Sequence, residues 1–272
     1  MSEPAADATW LKALHESEAV RICDTEQEFH KSWQRWAKDI DNPLEMAIVG
    51  GGMVLNFGLI FSAGYQAALR RIFPDVDFAA WGAFAVSEDK SGVLPGVTAQ
   101  ETAAGFVLNG SKTWIAASAC VEEVVLSARL GEKVRSFRVG RDTPGMTIAT
   151  RSPGRVLPAL SQGTATLDDV LVDVALRQDR VGQFASAEVV YIYTAFLAST
   201  WRRWPPRRDA VLPLLSLAQR VHENHELARE SMVELDRGVQ ALLRSLRQGE
   251  GGIDDLWRRD YKLIEMYANP VS

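Results

Sequence analysis

Several groups of residues in this 272-residue chain have the types and spacing to do chemistry. His222 and His225 with Glu226 fall within one helical turn, where imidazole and carboxylate together can hold a metal. They lack His-Glu-x-x-His spacing and a third ligand run, and so read as a solvated face. Gly50 and Gly52, after Met46-Ala-Ile-Val, could bring backbone amides to a pyrophosphate. The third glycine of that pattern falls on Leu55, and no βαβ unit follows. Trp201-Arg-Arg-Trp-Pro-Pro-Arg-Arg208 mixes cations and aromatics that could grip a phosphate or stack a base, but between two helical stretches it reads as an exposed turn. Glu188 opens the uncharged run 189–201, a place where the helix dipole favours a carboxylate. Cys23 and Cys120, the only cysteines, have no paired spacing, which excludes a disulfide framework or thiolate cluster and fits a reducing cytoplasm.

Such residues need elements to position them. Asn109-Gly110 tolerates the positive φ of a type I′ turn, so a β-hairpin is expected with strands at 106–108 and 112–115. Between positions 81 and 174, short extended runs are punctuated by Gly92, Asn109-Gly110, Gly131, Pro144-Gly145 and Pro153-Gly154. Alternation at 135–139 and turns about every ten residues predict an antiparallel barrel or sandwich. Helices are expected on both sides. Residues 8–37 read as polar helix broken at 39–43, and 46–73 as buried helical structure. The run 189–201 reads as a buried helix ended by Pro205-Pro206. Apolar residues from Leu217 to Leu246 repeat at three or four, predicting one long amphipathic helix stopped by Gly249, Gly251 and Gly252.

Composition sets outer bounds. Hydrophobic residues at 47% fill a core, and a net charge of −5 with both signs mixed argues against nucleic acid. Residues 46–69 carry no charge and are long enough to span a bilayer, but five glycines and several polar residues dilute them, so no membrane span is expected. The first residues have neither a basic region nor an apolar core, so no secretory signal is expected.

The run Gly-Phe-Val-Leu-Asn-Gly-Ser-Lys-Thr-Trp-Ile from Gly105 to Ile115 resembles the Leu-Asn-Gly-x-Lys-x-Trp-Ile-Thr segment in the β-domain of acyl-CoA dehydrogenases. Phe84-Ala-Val-Ser-Glu88, Phe137-Arg-Val139, Asp142-Thr-Pro-Gly145 and Asp169-Val-Leu-Val172 resemble its other strands, in order, so the likeness covers about 83–182. The resemblance implies an α+β fold: a short N-terminal helical part at 1–80, a middle β-domain at 81–182 and an abbreviated C-terminal helical part at 183–272. It implies FAD, with cofactor contacts at Ser87, Glu88, Trp114 and Ile115. The Gln248-Gly-Glu-Gly-Gly252 turn adds Gln248, Gly251 and Gly252, which in relatives touch the flavin diphosphate across a subunit interface.

The same resemblance exposes losses. Arg259-Asp260 through Tyr267 is similar to the lead-in to the family's catalytic glutamate, whose place is taken by Ala268. Some relatives carry the base on the first C-terminal helix, and Glu188 occupies that place. Two functions are therefore expected. One is an FAD-dependent oxidoreductase on an acyl-CoA or acyl-carrier thioester, with Glu188 as the α-proton base. The other is a non-catalytic scaffold or partner subunit. An oligomer, at least a dimer, is expected in either case, because shortening at both ends removes helices that would cover the β-domain and the amphipathic 217–246 face needs a partner surface.

Overall fold

The computed structural model describes residues 9–77, 80–152, 157–176, 181–224, 229–248 and 260–267. Helices come first: α1 (Thr9–Ala19), α2 (Glu26–Trp36), α3 (Pro43–Gly52) and α4 (Phe57–Ile72). Polar caps cut them. The Thr25 hydroxyl accepts from the Glu28 amide, the Asn42 carboxamide from Leu44 and the Asn56 carboxamide from Leu59, each satisfying an amide that has no partner within its helix. The expected single helix over 8–37 is thus two, and the uncharged 46–69 run is split by the Asn56 cap into α3 and α4. Both halves are buried almost throughout.

Seven strands follow: β1 (Gly82–Ala85), β2 (Thr98–Thr102), β3 (Gly105–Ala116), β4 (Glu123–Leu130), β5 (Lys133–Gly140), β6 (Met146–Arg151) and β7 (Gln162–Val172). They form one sheet in the order β1-β4-β2-β3-β7-β6, with β5 also on β4. The β-domain is present, but two expectations about it need correction. The sheet is mixed, since β4 runs parallel to both β1 and β2. It is also curled rather than closed by ladders; a lone bridge, Phe137 to Ala175, ties β5 to the segment after β7.

Asn109-Gly110 is not a hairpin turn. β3 runs straight through it, and the β2–β3 turn lies at Ala103-Ala104, between Thr102 and Gly105. The pair instead makes a bulge, where the β3–β7 register shifts between Leu108 and Gly110. The Asn109 carboxamide donates to Asp169 Oδ1 at 2.9 Å and accepts from the Asp169 amide at 2.8 Å. Gly110 has φ 126°, and a Cβ there would lie 2.4 Å from the Gly96 carbonyl oxygen. Its sequence signal, positive φ, is real; the tertiary close approach decides that it serves a bulge. Gly110→Ala is expected to cost about 3 kcal/mol of stability, measured by urea unfolding, because it combines a strained φ with a backbone clash.

The C-terminal helices are α5 (Phe184–Arg203), α6 (Arg208–Glu223), α7 (Arg229–Gln248) and the short α8 (Lys262–Met266). The long helix expected through Leu246 is two, since α6 ends at Glu223. Its apolar face needs no second copy: Leu217, Val221, Met232, Leu235, Val239, Leu242 and Leu246 are all buried within the chain. The oligomer argument drawn from that face therefore falls. Among the described residues, one helical stretch, Val181–Arg203, is long and apolar enough to cross a membrane, and most of it is buried inside the protein.

Helices from both ends of the chain share one core. α5 packs on α3 and α4, where Gly51 and Gly64 let its backbone approach so closely that any Cβ would overlap Ala195 or Ile192. The sheet has a separate core built from Ala83, Leu108, Ile115, Val124, Phe137, Ala165 and Leu167. β1 links the two: Ala83 and Ala85 point into the sheet core, while Phe84 points into the helical one. A seam between sheet and helices results.

Candidate active site

That seam collects aromatic and ionisable side chains from four elements. Trp114 of β3 is half-buried and faces the helices, its neighbour Ile115 being fully buried in the sheet core. The indole Nε1 donates to Gln162 Oε1 at 3.1 Å. Its ring meets Phe61 and Tyr65 of α4 edge-on, at centroid distances of 6.2 and 6.5 Å. Tyr65 in turn meets Phe184, at the head of α5, at 5.7 Å. The Tyr65 hydroxyl accepts from the Phe84 amide at 2.7 Å and donates to the Phe84 carbonyl at 3.3 Å, which clamps α4 to β1.

Glu188 stands one turn after Phe184 on α5. Its charge bears on Tyr65 and on Tyr267, so all three share this seam. It makes no hydrogen bond or ion pair with any described residue. Burial pushes its carboxyl up to about 7, because the charged form loses water without gaining a counter-ion. A carboxylate that is desolvated, unpaired and half ionised near neutrality is suited to accepting a proton from carbon.

Behind it lies a hydrogen-bonded frame. Tyr193 donates to Asp236 of α7 at 2.6 Å, and the Gln240 amide donates to the Tyr193 hydroxyl at 3.0 Å and to the Ile264 carbonyl at 2.7 Å. These bonds join α5, α7 and α8. Tyr267, capping α8, meets Tyr193 edge-on at 6.4 Å.

The other sequence-derived candidates distribute as follows. Ser87 is exposed where the chain leaves β1, and its carbonyl accepts from the Thr113 amide at 2.9 Å, which brings it beside Trp114 on β3. Glu88 carries a structural ion pair. Its Oε1 accepts from the buried Lys112 ammonium at 2.6 Å and from the Val97 amide at 3.2 Å, and Lys112 also reaches Ser127 at 3.1 Å. The lysine, foremost through its hydrogen bond, holds the Glu88 carboxyl below the usual range. Ile115 can offer a ligand only its backbone, since its side chain is in the sheet core. Gln248 is exposed at the end of α7 and is not among the seam residues. Gly251, Gly252, Ala268, His225 and Glu226 lie outside the described residues.

The cationic turn after α5 is mostly engaged inside the chain. Arg202 donates to the Ser17 and Gly52 carbonyls, Arg208 pairs with Glu18 and covers Trp201, and Arg207 donates to the Ser245 carbonyl. His222 Nδ1 bonds the Tyr191 hydroxyl at 2.7 Å, and no metal-binding cluster occurs among the described residues. Sequence reasoning missed Phe61, Tyr65, Gln162, Phe184 and Tyr193. Only Tyr65, with Gln66, gave a signal, as polar groups within a helix that is otherwise apolar.

No family model matches the chain, and no curated protein matches it in sequence. Solved structures do match in shape. The FAD complex of PigA superposes with a TM-score of 0.70 at 14% identity, covering 99% of this chain and 95% of that one. Glutaryl-CoA dehydrogenase from Mycobacterium smegmatis gives 0.67 at 16% identity, over 97% of this chain and 92% of that one. The prolyl acyl carrier protein oxidase AnaB gives 0.67 at 13% identity, over 97% and 95%. Helices on both sides of a curled sheet, in this order and over nearly the whole length of each chain, are the acyl-CoA dehydrogenase fold, and this chain has it.

Proposed function

We propose that this protein is a divergent flavin-dependent oxidoreductase acting on an acyl thioester, with Glu188 as the base that removes the α-proton. The observation that carries this reading is Glu188 itself, an unpaired carboxyl held at about 7 in an aromatic seam between sheet and helices. The structures of like fold support it, since PigA is described as an FAD complex, AnaB as a prolyl acyl carrier protein oxidase and a third as a glutaryl-CoA dehydrogenase. The three-part division at 1–80, 81–182 and 183–272 belongs to the same proposal. So does a second copy of the chain, which rests on the shortened helical ends and on Gln248, exposed at the end of α7 where it can reach across an interface.

The residues present fit the ring end of FAD. Next to Ser87 the loop leaves Val86, Val93 and Leu94 exposed, apolar surface of the kind a flat cofactor ring covers. The Trp114 ring and the Ser87 hydroxyl would hold that ring, while Glu88, paired to Lys112, would not contribute. Bound FAD would supply the acceptor for the β-hydrogen of the acyl group as hydride.

The chain's own residues do the rest. Glu188 accepts the α-proton on a carboxylate oxygen, and the electron pair of the broken C–H bond moves toward the thioester carbonyl. Phe61, Tyr65, Trp114 and Phe184 wall the seam with aromatic rings and exclude water, which keeps the base strong and the carbanion unquenched. The Tyr65 clamp on Phe84 fixes the distance between α4 and the sheet. An absorption spectrum of protein expressed with added riboflavin tests the reading: flavin bands in the visible are expected. Their absence would leave the non-catalytic scaffold, which the residue Ala268 in the glutamate's place favours.

A further inference from the structure

Resting on the reading above, we infer that Tyr267 is a second catalytic residue, whose phenol donates a hydrogen bond to the substrate's thioester carbonyl as Glu188 takes the α-proton. The geometry begins with its mounting. Tyr267 caps α8, a helix too short to hold itself and fixed instead by the Gln240 bond to the Ile264 carbonyl and by burial of Leu263 and Ile264. Its ring rests edge-on against Tyr193, which Asp236 and Gln240 lock in place. The residue is thus held on a frame of α5, α7 and α8 and packs against the helical core.

Its hydroxyl has no hydrogen-bond partner among the described residues, although Tyr65 and Tyr193 beside it have theirs satisfied within the chain. Partly buried and not spent on the described chain, that hydroxyl is available to donate to a ligand in the seam. Burial, followed by the negative charge of Glu188 and the neighbouring tyrosines, raises its pKa, so it stays protonated wherever Glu188 is ionised. It is therefore a donor and never the base. Among the described residues this seam holds an unpartnered proton acceptor, Glu188, and an unpartnered permanent donor, Tyr267.

That pairing matches the charge that develops. When the α-C–H bond breaks, the proton goes to Glu188 and the electron pair becomes enolate charge on the carbonyl oxygen, which needs a donor in a site with little water. The half-reaction is redox-neutral: returning a deuteron from Glu188 to the α-carbon regenerates the thioester. It can be read as α-hydrogen exchange, independently of oxidation.

The test is exchange in D2O with glutaryl-CoA and with a prolyl-pantetheine thioester, followed by mass spectrometry on the flavin-loaded protein. Tyr267→Phe is expected to slow exchange about 10²-fold, the usual cost of one such donor, with binding of the thioester changed much less. The rise of rate with pH through about 7 should persist in Tyr267→Phe, because it belongs to Glu188. Gln240→Leu, which loosens the frame, tests whether a loss is structural: Tyr267→Phe should melt with wild type, whereas Gln240→Leu should melt lower. An active wild type equalled by Tyr267→Phe overturns the inference alone. Loss of the pH-dependent limb in Tyr267→Phe also overturns it, since the residue would then act through Glu188. A wild type that exchanges neither probe overturns this inference together with the proposed function.

Discussion

Glu188→Gln should abolish thioester-dependent bleaching of the flavin, by 10²-fold or more, while the flavin stays bound. Stopped-flow absorbance with the thioesters named above measures this, and bleaching at the wild-type rate would remove Glu188 from the mechanism. The pH profile gives a second reading. The carboxylate form is the base, and burial holds the group at about 7, so the wild-type rate should climb as pH rises through that value and level off above it.

The same substitution should stabilise the fold. A carboxyl whose folded pKa lies above its unfolded value binds its proton more tightly when folded. Its contribution is favourable below the unfolded value of about 4.5 and is lost as pH rises toward 7. At neutral pH the ionisable group thus costs on the order of 2 kcal/mol, a cost that glutamine does not carry. Thermal melts should show Glu188→Gln above wild type at pH 7.5 and converging with it near pH 4. Gain of stability with loss of rate is the behaviour expected of a residue kept for chemistry.

A second large effect is expected at Glu88, for a reason unrelated to cofactor. Lys112 is 1% exposed, and Glu88 is its only ion-pair partner among the described residues. Burial lowers the lysine's pKa and the Glu88 bond raises it, so the pair is a balance between desolvation and attraction. Glu88→Ala removes the attraction and leaves the ammonium buried; with the Glu88 carboxylate partly screened by water this should cost about 1–2 kcal/mol and lower Tm by about 2–8 °C. The Ser127 hydroxyl keeps the loss from being larger. Lys112→Met in the Glu88→Ala background should recover most of it, because the charge that needed a partner is gone. Calorimetry of the two variants decides; an unaltered Tm in Glu88→Ala would return Glu88 to the list of ligand-binding candidates.

Local chemistry by itself determined much of this protein. The turn residues and alternation between 81 and 174 gave strands there, the apolar runs on either side gave buried helices, and Glu188 stood out as the carboxylate that opens an uncharged helical run. Each depends on neighbours within a few residues, and the order of motifs pointed to the acyl-CoA dehydrogenase fold that the structure displays. Tertiary structure decided the rest. Asn109-Gly110 carries the same positive-φ preference in a turn or a bulge, and only the approach of Gly96 and Asp169 selects the bulge. That Glu88 also holds the buried Lys112, 24 residues away in sequence, is visible only in the tertiary structure. The amphipathic repeat at 217–246 cannot tell a partner subunit from its own chain, because periodicity reports that a face is buried and not what covers it. Tyr65 meets Phe184 and Tyr193 meets Tyr267, and the charge of Glu188 bears on Tyr65 and Tyr267, from three helices spread over about 200 residues of chain, so their convergence is a property of packing and no local window of sequence contains it.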